Sequence, residues 1–291
     1  MNLLLLGATG LAGQAVARAA LVRGCKLRTV ARKGADIRCD IAEGDALYKL
    51  LAAESPDVAV NAAALVDLNA CAADPGLCWR VNARPAGILA EWSQRTQRPI
   101  LHISTDHFFP GTGPAAHAEN APVSLINEYA RSKYAAEAMA LTSREALVLR
   151  TSIVGLRGWR IPTLAEWAID GVLEDREMML FHDAWTSSLD TSTFASAALE
   201  LLFDTGARGV VNLAAREIYS KEAFIREIAN QLRRTLSRAT SVSVHDVVPN
   251  RASSLGLSVA KAEDLLGRSL PDMVQVVRKV LSERKAAWDE I

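Results

Sequence analysis

The sequence MNLLLLGATGLAG, residues 1–13, joins an apolar run of strand length to glycines at positions 7, 10 and 13. A helical pattern follows it as far as Arg23 and stops at Gly24. Glycines at this spacing allow a tight turn in which a pyrophosphate approaches the backbone N–H groups at the start of a helix. A turn of purely structural purpose is the alternative. The strand before the glycines and the helix after them favour a dinucleotide-binding unit.

Strands alternate with helices after this unit through the first half of the chain. Apolar strand patterns occupy 26–30, 57–64, 99–106 and 146–151, and a further short strand ends at 39–41. Helical patterns occupy 47–54 and 77–95. The alternation predicts an α/β fold with a Rossmann doubly wound parallel sheet, whose ligands lie at the carboxyl ends of the strands. Gly7, Asp40, Ala62 and Thr105 all fall at such ends.

The alternation becomes irregular after Gly155. Helices are predicted at 163–173, 190–203 and 220–234, and a strand at 209–213. We therefore predict an NAD(P)-binding Rossmann domain over residues 1–154, with returning segments near 189–214. Residues 155–291 are predicted to form mainly a smaller C-terminal substrate-binding lobe.

Composition argues against several kinds of partner. Basic and acidic residues number 33 each among 291 residues, which leaves no positive excess to attract nucleic acid or an anionic membrane. The apolar run before Gly7 is too short to span a membrane. The four cysteines form no Cys-x-x-Cys pair and have no histidine at zinc spacing. We predict reduced thiols, no metal site and a cytoplasmic location.

Two basic residues follow the second strand. Arg32 and Lys33 stand where an NAD-selective site tends to place an acidic residue. Because arginine pairs with phosphate oxygens in a bidentate manner, this pair favours NADP(H), with NAD(H) possible. An ordinary surface loop is the alternative. Asp40 is placed to accept a hydrogen bond from the adenine amino group, and the small residues Ala62, Ala63 and Ala64 let a cofactor lie against the backbone.

Acid/base chemistry is predicted for Tyr129 and Lys133. They lie four residues apart in the helix-favouring run NEYARSK, residues 127–133, and so leave the same helix face. An ammonium group beside a phenol favours the phenolate, so we expect Lys133 to ease the ionisation of Tyr129. The alternative is a solvated surface pair.

Two further residues are candidates for substrate binding. His107 stands two residues after Thr105 at the mouth of a strand, where it can contact substrate; a loop histidine is the alternative. Arg251 is a candidate partner for a diphosphate, because the planar guanidinium suits that anion. Trp159 and Arg160 are weaker candidates for the same site.

Taken together, the motifs resemble those of the extended short-chain dehydrogenase/reductase family, nearly from end to end. Within it the chain is most similar to the dTDP-4-dehydrorhamnose reductase branch and its sugar-nucleotide-binding relatives. The segments that carry the resemblance are residues 7–13, PDVAVNAAA at 56–64, RVNA at 80–83, LHISTD at 101–106, NEYARSK at 127–133 and LRTS at 149–152.

The resemblance implies a role for each matching residue. Thr105 would hydrogen-bond the substrate oxygen, Tyr129 would donate the proton, and Lys133 would hold the nicotinamide ribose. Cofactor contacts are implied for Gly7, Gly10, Leu11, Asp40, Ile41, Ala62, Ala63, Ala64, Asn82, Tyr129 and Lys133, with Arg32 and Lys33 added on the argument above. Departures from the branch pattern cluster in segments expected to shape the sugar site, such as HFFPG at 107–111 and DAWTSS at 183–188.

The leading hypothesis is an NAD(P)H-dependent reductase of a keto group on a nucleotide-activated deoxysugar, as in dTDP-rhamnose biosynthesis. A nucleotide-sugar epimerase or dehydratase is a second reading of the same scaffold. The third is a non-catalytic NADP-binding regulatory subunit, like the beta subunit of methionine adenosyltransferase. A homodimer is possible under any of them.

Overall fold

The computed structural model describes residues 1–109, 111–159, 161–247 and 252–289, with the backbone alone for 287–289. These residues form two compact units. The first comprises Met1–Phe108, Leu125–Arg150 and Phe194–Val211, and the second comprises Phe109–Ser124, Thr151–Thr193 and Asn212–Ile291. Among the described helices, none combines the length and apolar composition needed to cross a membrane.

Strands and helices alternate along most of the chain. The strands are β1 (Asn2–Leu6), β2 (Lys26–Ala31), β3 (Ile37–Arg38), β4 (Val58–Asn61), β5 (Ile100–Ile103), β6 (Ala146–Arg150), β7 (Ile153–Val154), β8 (Met178–Phe181), β9 (Trp185–Thr186), β10 (Leu189–Asp190), β11 (Gly209–Asn212), β12 (Tyr219–Ser220), β13 (Ala239–Val242) and β14 (Ser254–Leu255). The helices are α1 (Leu11–Val22), α2 (Gly44–Glu54), α3 (Leu68–Ala73), α4 (Pro75–Asn82), α5 (Arg84–Thr96), α6 (Glu128–Ala140), α7 (Leu164–Leu173), α8 (Thr191–Phe203), α9 (Lys221–Gln231), α10 (Val244–Val247), α11 (Ala260–Leu266) and α12 (Met273–Asp289).

A seven-stranded sheet carries the first unit. Its strand order is β11-β6-β5-β4-β1-β2-β3, and the pairs from β6 through β3 are parallel. The chain extends the sheet from β1 in one direction through β3 and then in the other direction from β4, so the order reverses between β1 and β4. Ligands of such sheets bind outside the carboxyl ends at this reversal. The prediction of a doubly wound parallel sheet is confirmed.

The start of β1 lies in the core of the first unit. The four leucines at 3–6 are all 0% exposed, which confirms the prediction of a buried strand. Leu4 and Leu6 belong to a core cluster that also contains Val30, Leu47 and Ile100. Truncating one such leucine to alanine costs about 2–5 kcal/mol in typical cores, so this strand anchors the glycine turn that follows it.

One predicted helix is in fact two. The pattern over 77–95 predicts a single helix, whereas α4 ends at Asn82 and α5 begins at Arg84. Pro85 explains the break, because proline has no N–H to donate and its ring clashes with the preceding turn. It is accommodated in the first turn of α5. The short helix α3 was not predicted, since its six residues are too few to show a helical period.

The second unit contains the helices α7 and α9, at the predicted places. The α7 helix begins with a capping box: Thr163 Oγ1 accepts from the Glu166 backbone N–H at 3.2 Å, and Glu166 Oε2 accepts from the Thr163 N–H at 2.7 Å. The Ser220 hydroxyl accepts from the Ala223 N–H at the start of α9. The two-residue strands of this unit were not predicted, because so short a segment has no readable period.

Candidate active site

The glycine turn packs directly against the end of β4. Gly7 has φ +78°, in the region that favours glycine, and a Cβ built on it would lie 2.6 Å from Ala63 Cα. A Cβ on Gly13 would lie 2.1 Å from the Gly7 carbonyl oxygen. The absence of side chains therefore lets β1, α1 and the segment after β4 meet. Gly10 precedes α1 and supplies no capping side chain, which leaves the first N–H groups of the helix for an anion.

The basic loop after β2 lies beside this turn. A Cβ on Gly34 would lie 3.6 Å from Thr9 Cγ2, so the segment that contains Arg32 and Lys33 neighbours the glycine turn. Both basic residues are exposed. Within the described part of the chain, neither is engaged by a carboxylate. Two cationic side chains beside a turn that is predicted to bind phosphate suit a ribose 2′-phosphate.

Asp40 and Ile41 follow β3 at the predicted edge. Asp40 is exposed, and its Oδ1 accepts from the Ala42 N–H at 3.0 Å. Ile41 is buried in the core of the first unit. The carboxylate of Asp40 keeps its second oxygen for a donor such as an amino group. Their contact with a cofactor stays a prediction.

Asn82 holds the segment after β4 in place. Its Oδ1 accepts from the Leu65 N–H at 2.7 Å, and its Nδ2 donates to the Leu65 carbonyl and to Ser132 Oγ at 3.1 and 3.0 Å. The side chain is fully buried. Asn82 thus ties the loop that carries the alanines at 62–64 to α6. Any contribution to cofactor binding would come through the placement of that loop.

Tyr129 and Lys133 lie on one buried face of α6. The helix is capped by Asn127, whose Oδ1 accepts from the Ala130 N–H at 2.8 Å. Tyr129 is 8% exposed and Lys133 is 1% exposed. The spacing of four residues places both on the same helix face, as the sequence predicts, and their burial excludes the alternative of a solvated surface pair.

Thr105 joins this pair from the segment after β5. It is buried, donates from Oγ1 to Asp106 Oδ1 at 3.3 Å, accepts from the His107 N–H at 3.3 Å, and its hydroxyl neighbours the Tyr129 phenol. The His107 ring contacts the Tyr129 ring edge-on, with ring centroids 5.7 Å apart. The structure thus brings together Thr105, His107 and Tyr129. Ser104 Oγ, beside them, is buried and has no partner among the described residues, so this strand end presents an unused polar atom.

The phenol of Tyr129 holds its proton tightly. Burial raises the pKa of Tyr129 well above its ordinary value; the hydrogen bond with Thr105 opposes that rise, and the nearby Asp106 carboxylate adds to it. The sequence favours a lowered pKa for Tyr129, whereas in the folded chain burial is the largest cause and raises it. A phenol that stays protonated at neutral pH suits a proton donor.

The Lys133 ammonium is enclosed by protein. Its Nζ donates to the Ile103 carbonyl at 2.7 Å and lies 3.2 Å from His102 Nε2. Burial lowers the pKa of Lys133 to about 8, and the Glu137 carboxylate acts in the opposite direction. Glu137 is itself paired with Arg150 through N···O distances of 2.8 to 3.1 Å, and both side chains are buried.

Four residues near this cluster have no role predicted from the sequence: Asn61, His102, Glu137 and Arg150. Each is a buried polar residue within an apolar strand or helix, which is the signal that could have identified it. Among the predicted substrate residues, Arg251 lies outside the described residues, as does Arg160. Trp159 is exposed, with the Arg157 guanidinium 4.0 Å from its ring centroid.

Comparison with known proteins gives one family match and a set of relatives. The family model described as RmlD substrate binding domain matches residues 1–285. The "Probable low-salt glycan biosynthesis reductase" of Haloferax volcanii is 28% identical over 240 residues, 80% of each protein. The dTDP-4-dehydrorhamnose reductase of Burkholderia thailandensis is 34% identical over 155 residues, which cover 53% of this chain and 50% of that enzyme. The chain thus spans about half the length of the curated reductases of that name that it matches.

Solved structures share the fold over nearly the full chain. The dTDP-4-dehydrorhamnose reductase of Bacillus anthracis, solved in complex with NADP, superposes with a TM-score of 0.86 at 20% identity and covers 97% of this chain and 98% of its own. At that identity the likeness establishes the fold.

Proposed function

The chain belongs to the RmlD substrate binding domain family, and from that premise we propose that it is an NAD(P)H-dependent reductase of a keto group on a nucleotide-activated deoxysugar. The predicted resemblance to dTDP-4-dehydrorhamnose reductases and the predicted enzyme class, an NAD(P)-dependent oxidoreductase, are confirmed. The observation that carries the proposal is the cluster of Thr105, Tyr129 and Lys133, all buried beside the carboxyl end of β5.

A nicotinamide dinucleotide fits the residues present. The close approach at Gly7 and Gly13 leaves a side-chain-free cradle at the N-terminus of α1, suited to a pyrophosphate. Arg32 and Lys33, beside the cradle, favour NADP(H), with NAD(H) possible. Gly10, Leu11, Asp40, Ile41 and the alanines at 62–64 complete the proposed contacts.

The chemistry follows from the state of each side chain. When bound, the reduced nicotinamide supplies a hydride to the keto carbon. Tyr129, which burial keeps protonated, gives its phenolic proton to the carbonyl oxygen as negative charge develops there. Thr105, beside Tyr129, orients that oxygen, and Lys133 in its ammonium form holds the ribose and offsets the negative charge left on the phenol.

Substrate selectivity is proposed to involve His107, because its ring contacts Tyr129 edge-on. Arg251 stays a proposed partner for the diphosphate. We propose the substrate class, a nucleotide-linked 4-keto-6-deoxy sugar, from the names of the relatives, and leave the sugar and the nucleotide to experiment.

The test is a substrate panel. Purified protein is titrated with NADPH and NADH by fluorescence and then given dTDP-, UDP- and GDP-linked 4-keto-6-deoxy sugars while absorbance of the reduced nicotinamide is followed. Tight NADPH binding with oxidation on one sugar supports the reductase. Binding without oxidation on any sugar favours the regulatory subunit, and absence of binding overturns the proposal.

Three further predictions accompany the proposal. We propose that the first unit binds the cofactor and the second the substrate, that the protein acts in the cytoplasm, and that it can form a homodimer. Light scattering after size-exclusion chromatography would measure the mass in solution and so test whether the protein forms a homodimer.

A further inference from the structure

Three buried polar side chains form a chain that ends at Lys133. Asn61, His102 and Lys133 are each 1% exposed. His102 Nδ1 lies 3.2 Å from Asn61 Nδ2, and His102 Nε2 lies 3.2 Å from Lys133 Nζ. The proposed reaction uses Lys133 alone, so the other two residues need an explanation of their own. Polar groups this deeply buried are costly unless their hydrogen bonds match.

The orientation of Asn61 is set by the backbone. The Ala63 N–H, which can only donate, points to Asn61 Oδ1 at 3.2 Å. Exchanging the oxygen and nitrogen of the amide would place a donor against a donor there. Asn61 therefore turns its NH₂ group toward His102, and Nδ1 of the ring must accept.

The proton of the His102 ring is thereby assigned. Burial first, and then the positive charge of Lys133, hold the pKa of His102 well below its usual value, so the ring is neutral and carries one proton. With Nδ1 as the acceptor, that proton lies on Nε2. The ring thus presents an N–H to Lys133 Nζ.

This contact distinguishes two states of Lys133. An ammonium group has three donors and no acceptor, so it would meet the Nε2–H donor against donor. A neutral amine can donate to the Ile103 carbonyl and accept from His102 at the same time. The hydrogen bonds of the cluster are therefore all satisfied only when Lys133 is an amine.

Other groups around Lys133 act in different directions. Glu137, one turn further along α6, favours the ammonium form of Lys133. Its ion pair with Arg150 from β6 weakens this effect, because the guanidinium offsets part of its negative charge. Tyr129, one turn earlier, is a neutral phenol in the resting site. Desolvation and the His102 N–H act against the ammonium.

We propose that His102 is a positioning residue, locked by Asn61 in the tautomer that carries its proton on Nε2, and that it weakens the hold of Lys133 on its proton. The proposal deepens the proposed function and rests on it, because it matters to turnover only if Lys133 serves the reaction. His102 acts through Lys133 and touches neither of the reacting groups.

The first test reads the tautomer directly. Full-length protein labelled with ¹⁵N-histidine is studied by long-range ¹H–¹⁵N NMR between pH 6 and 9, and the His102 signals are assigned by their loss in His102→Gln. We expect an Nε2–H ring that does not take up a second proton in this range. An Nδ1–H ring, or one that titrates near its ordinary pKa, would overturn the proposal.

The second test moves the proton. Asn61→Asp is nearly isosteric but can only accept, so it draws the ring proton to Nδ1 and makes Nε2 an acceptor for the ammonium. The pKa of Lys133, read from the ¹³Cε shift of labelled lysine, should rise by about one unit. His102→Gln, which adds no charge, should shift it in the same direction because its amide oxygen can accept. A Lys133 pKa that stays unchanged in both variants contradicts the proposal.

Activity adds a separate readout. If the enzyme reduces a sugar in the panel, the alkaline limb of kcat should move upward in Asn61→Asp by the same amount, with KM for the sugar little changed. If no sugar is reduced, the proposed function fails, while the NMR measurements still decide the tautomer. The two failures are thus distinguishable.

Discussion

Tyr129 shows how a residue's setting, more than its neighbour in the sequence, decides its chemistry. Lys133 stands on the same helix face, yet burial dominates and keeps the phenol protonated. A reductase needs that form in its resting state, because the proton must be given up only as the alkoxide develops. The raised pKa of Tyr129 therefore suits its role as the proton donor in the proposed reduction.

Replacing Tyr129 by phenylalanine tests this role. Tyr129→Phe removes the donated proton, and we expect kcat to fall by about 10²–10⁴, the usual contribution of general acid catalysis. NADPH affinity should change little, as measured by fluorescence titration. Tyr134→Phe is the matched control, since Tyr134 is on the same helix but 37% exposed. Turnover of Tyr129→Phe within a few-fold of the wild type would show that the proton comes from elsewhere.

At the scale of elements, the contact between β1, α1 and the end of β4 depends on missing side chains. Gly13→Ala places a methyl group 2.1 Å from the Gly7 carbonyl oxygen, so the turn must shift. We expect loss of stability by about 1–3 kcal/mol, the usual cost of overpacking, together with weaker NADPH binding. Urea unfolding and fluorescence titration measure the two effects.

Gly10→Ala is the control for that variant. A Cβ on Gly10 would lie 3.4 Å from the Gly7 carbonyl oxygen, and its backbone has φ −73°. The stability of Gly10→Ala should therefore stay close to that of the wild type. Equal loss of stability in both variants would contradict the steric explanation.

The buried pair of Glu137 and Arg150 fastens α6 to β6. Glu137→Ala leaves the Arg150 guanidinium buried without its partner, and we expect the free energy of unfolding to fall by about 3–5 kcal/mol. Glu128→Ala, which removes a partly exposed ion pair with Arg131 on the same helix, should cost at most about 1 kcal/mol. Chemical denaturation measures the free energy of unfolding of both variants. A smaller loss in Glu137→Ala than in Glu128→Ala would show that the buried pair contributes little.

The elements could be predicted where their patterns are long. The strand at residues 3–6, the glycine turn and the Tyr129 helix all follow from local composition and period. The break before Pro85 required weighing one proline against a continuing helical pattern. Strands of two residues, such as β9 and β12, have no period and are defined by their pairing with neighbouring strands, here β12 with β9 and β9 with β14.

Only part of the candidate site could be predicted, because some of its properties appear only in the folded chain. Thr105, Tyr129 and Lys133 belong to motifs, so their positions were accessible from the sequence. The rise in the pKa of Tyr129 could not be predicted, because it comes from burial, which is a property of the folded chain. His102 and Asn61 lie in strands that read as apolar, and only the register of β4 with β5 places them side by side.

For the molecule as a whole, cofactor preference should appear as a difference in thermal stability. A ligand that binds only the native state stabilises it by RT ln(1 + [L]/Kd), about 2.7 kcal/mol at 100 times Kd. At equal concentrations we expect NADPH to raise Tm by more than NADH does, by differential scanning fluorimetry.

The variant Arg32→Ala should reduce this difference, since it removes the proposed partner of the 2′-phosphate. Arg18→Ala, an exposed arginine on α1, should preserve it. Equal shifts with both nucleotides in the wild type would refute the predicted preference for NADP(H).

The division into two units has a consequence for synthesis on the ribosome. The chain passes from one unit to the other five times, and the first unit receives its last segment, Phe194–Val211, after most of the protein has been made. The nascent chain must therefore carry an incomplete sheet, with β6 still waiting for β11, while nearly 60 residues are translated. At about 5–20 residues per second this interval lasts seconds, during which the open edge of β6 is a natural binding site for a chaperone.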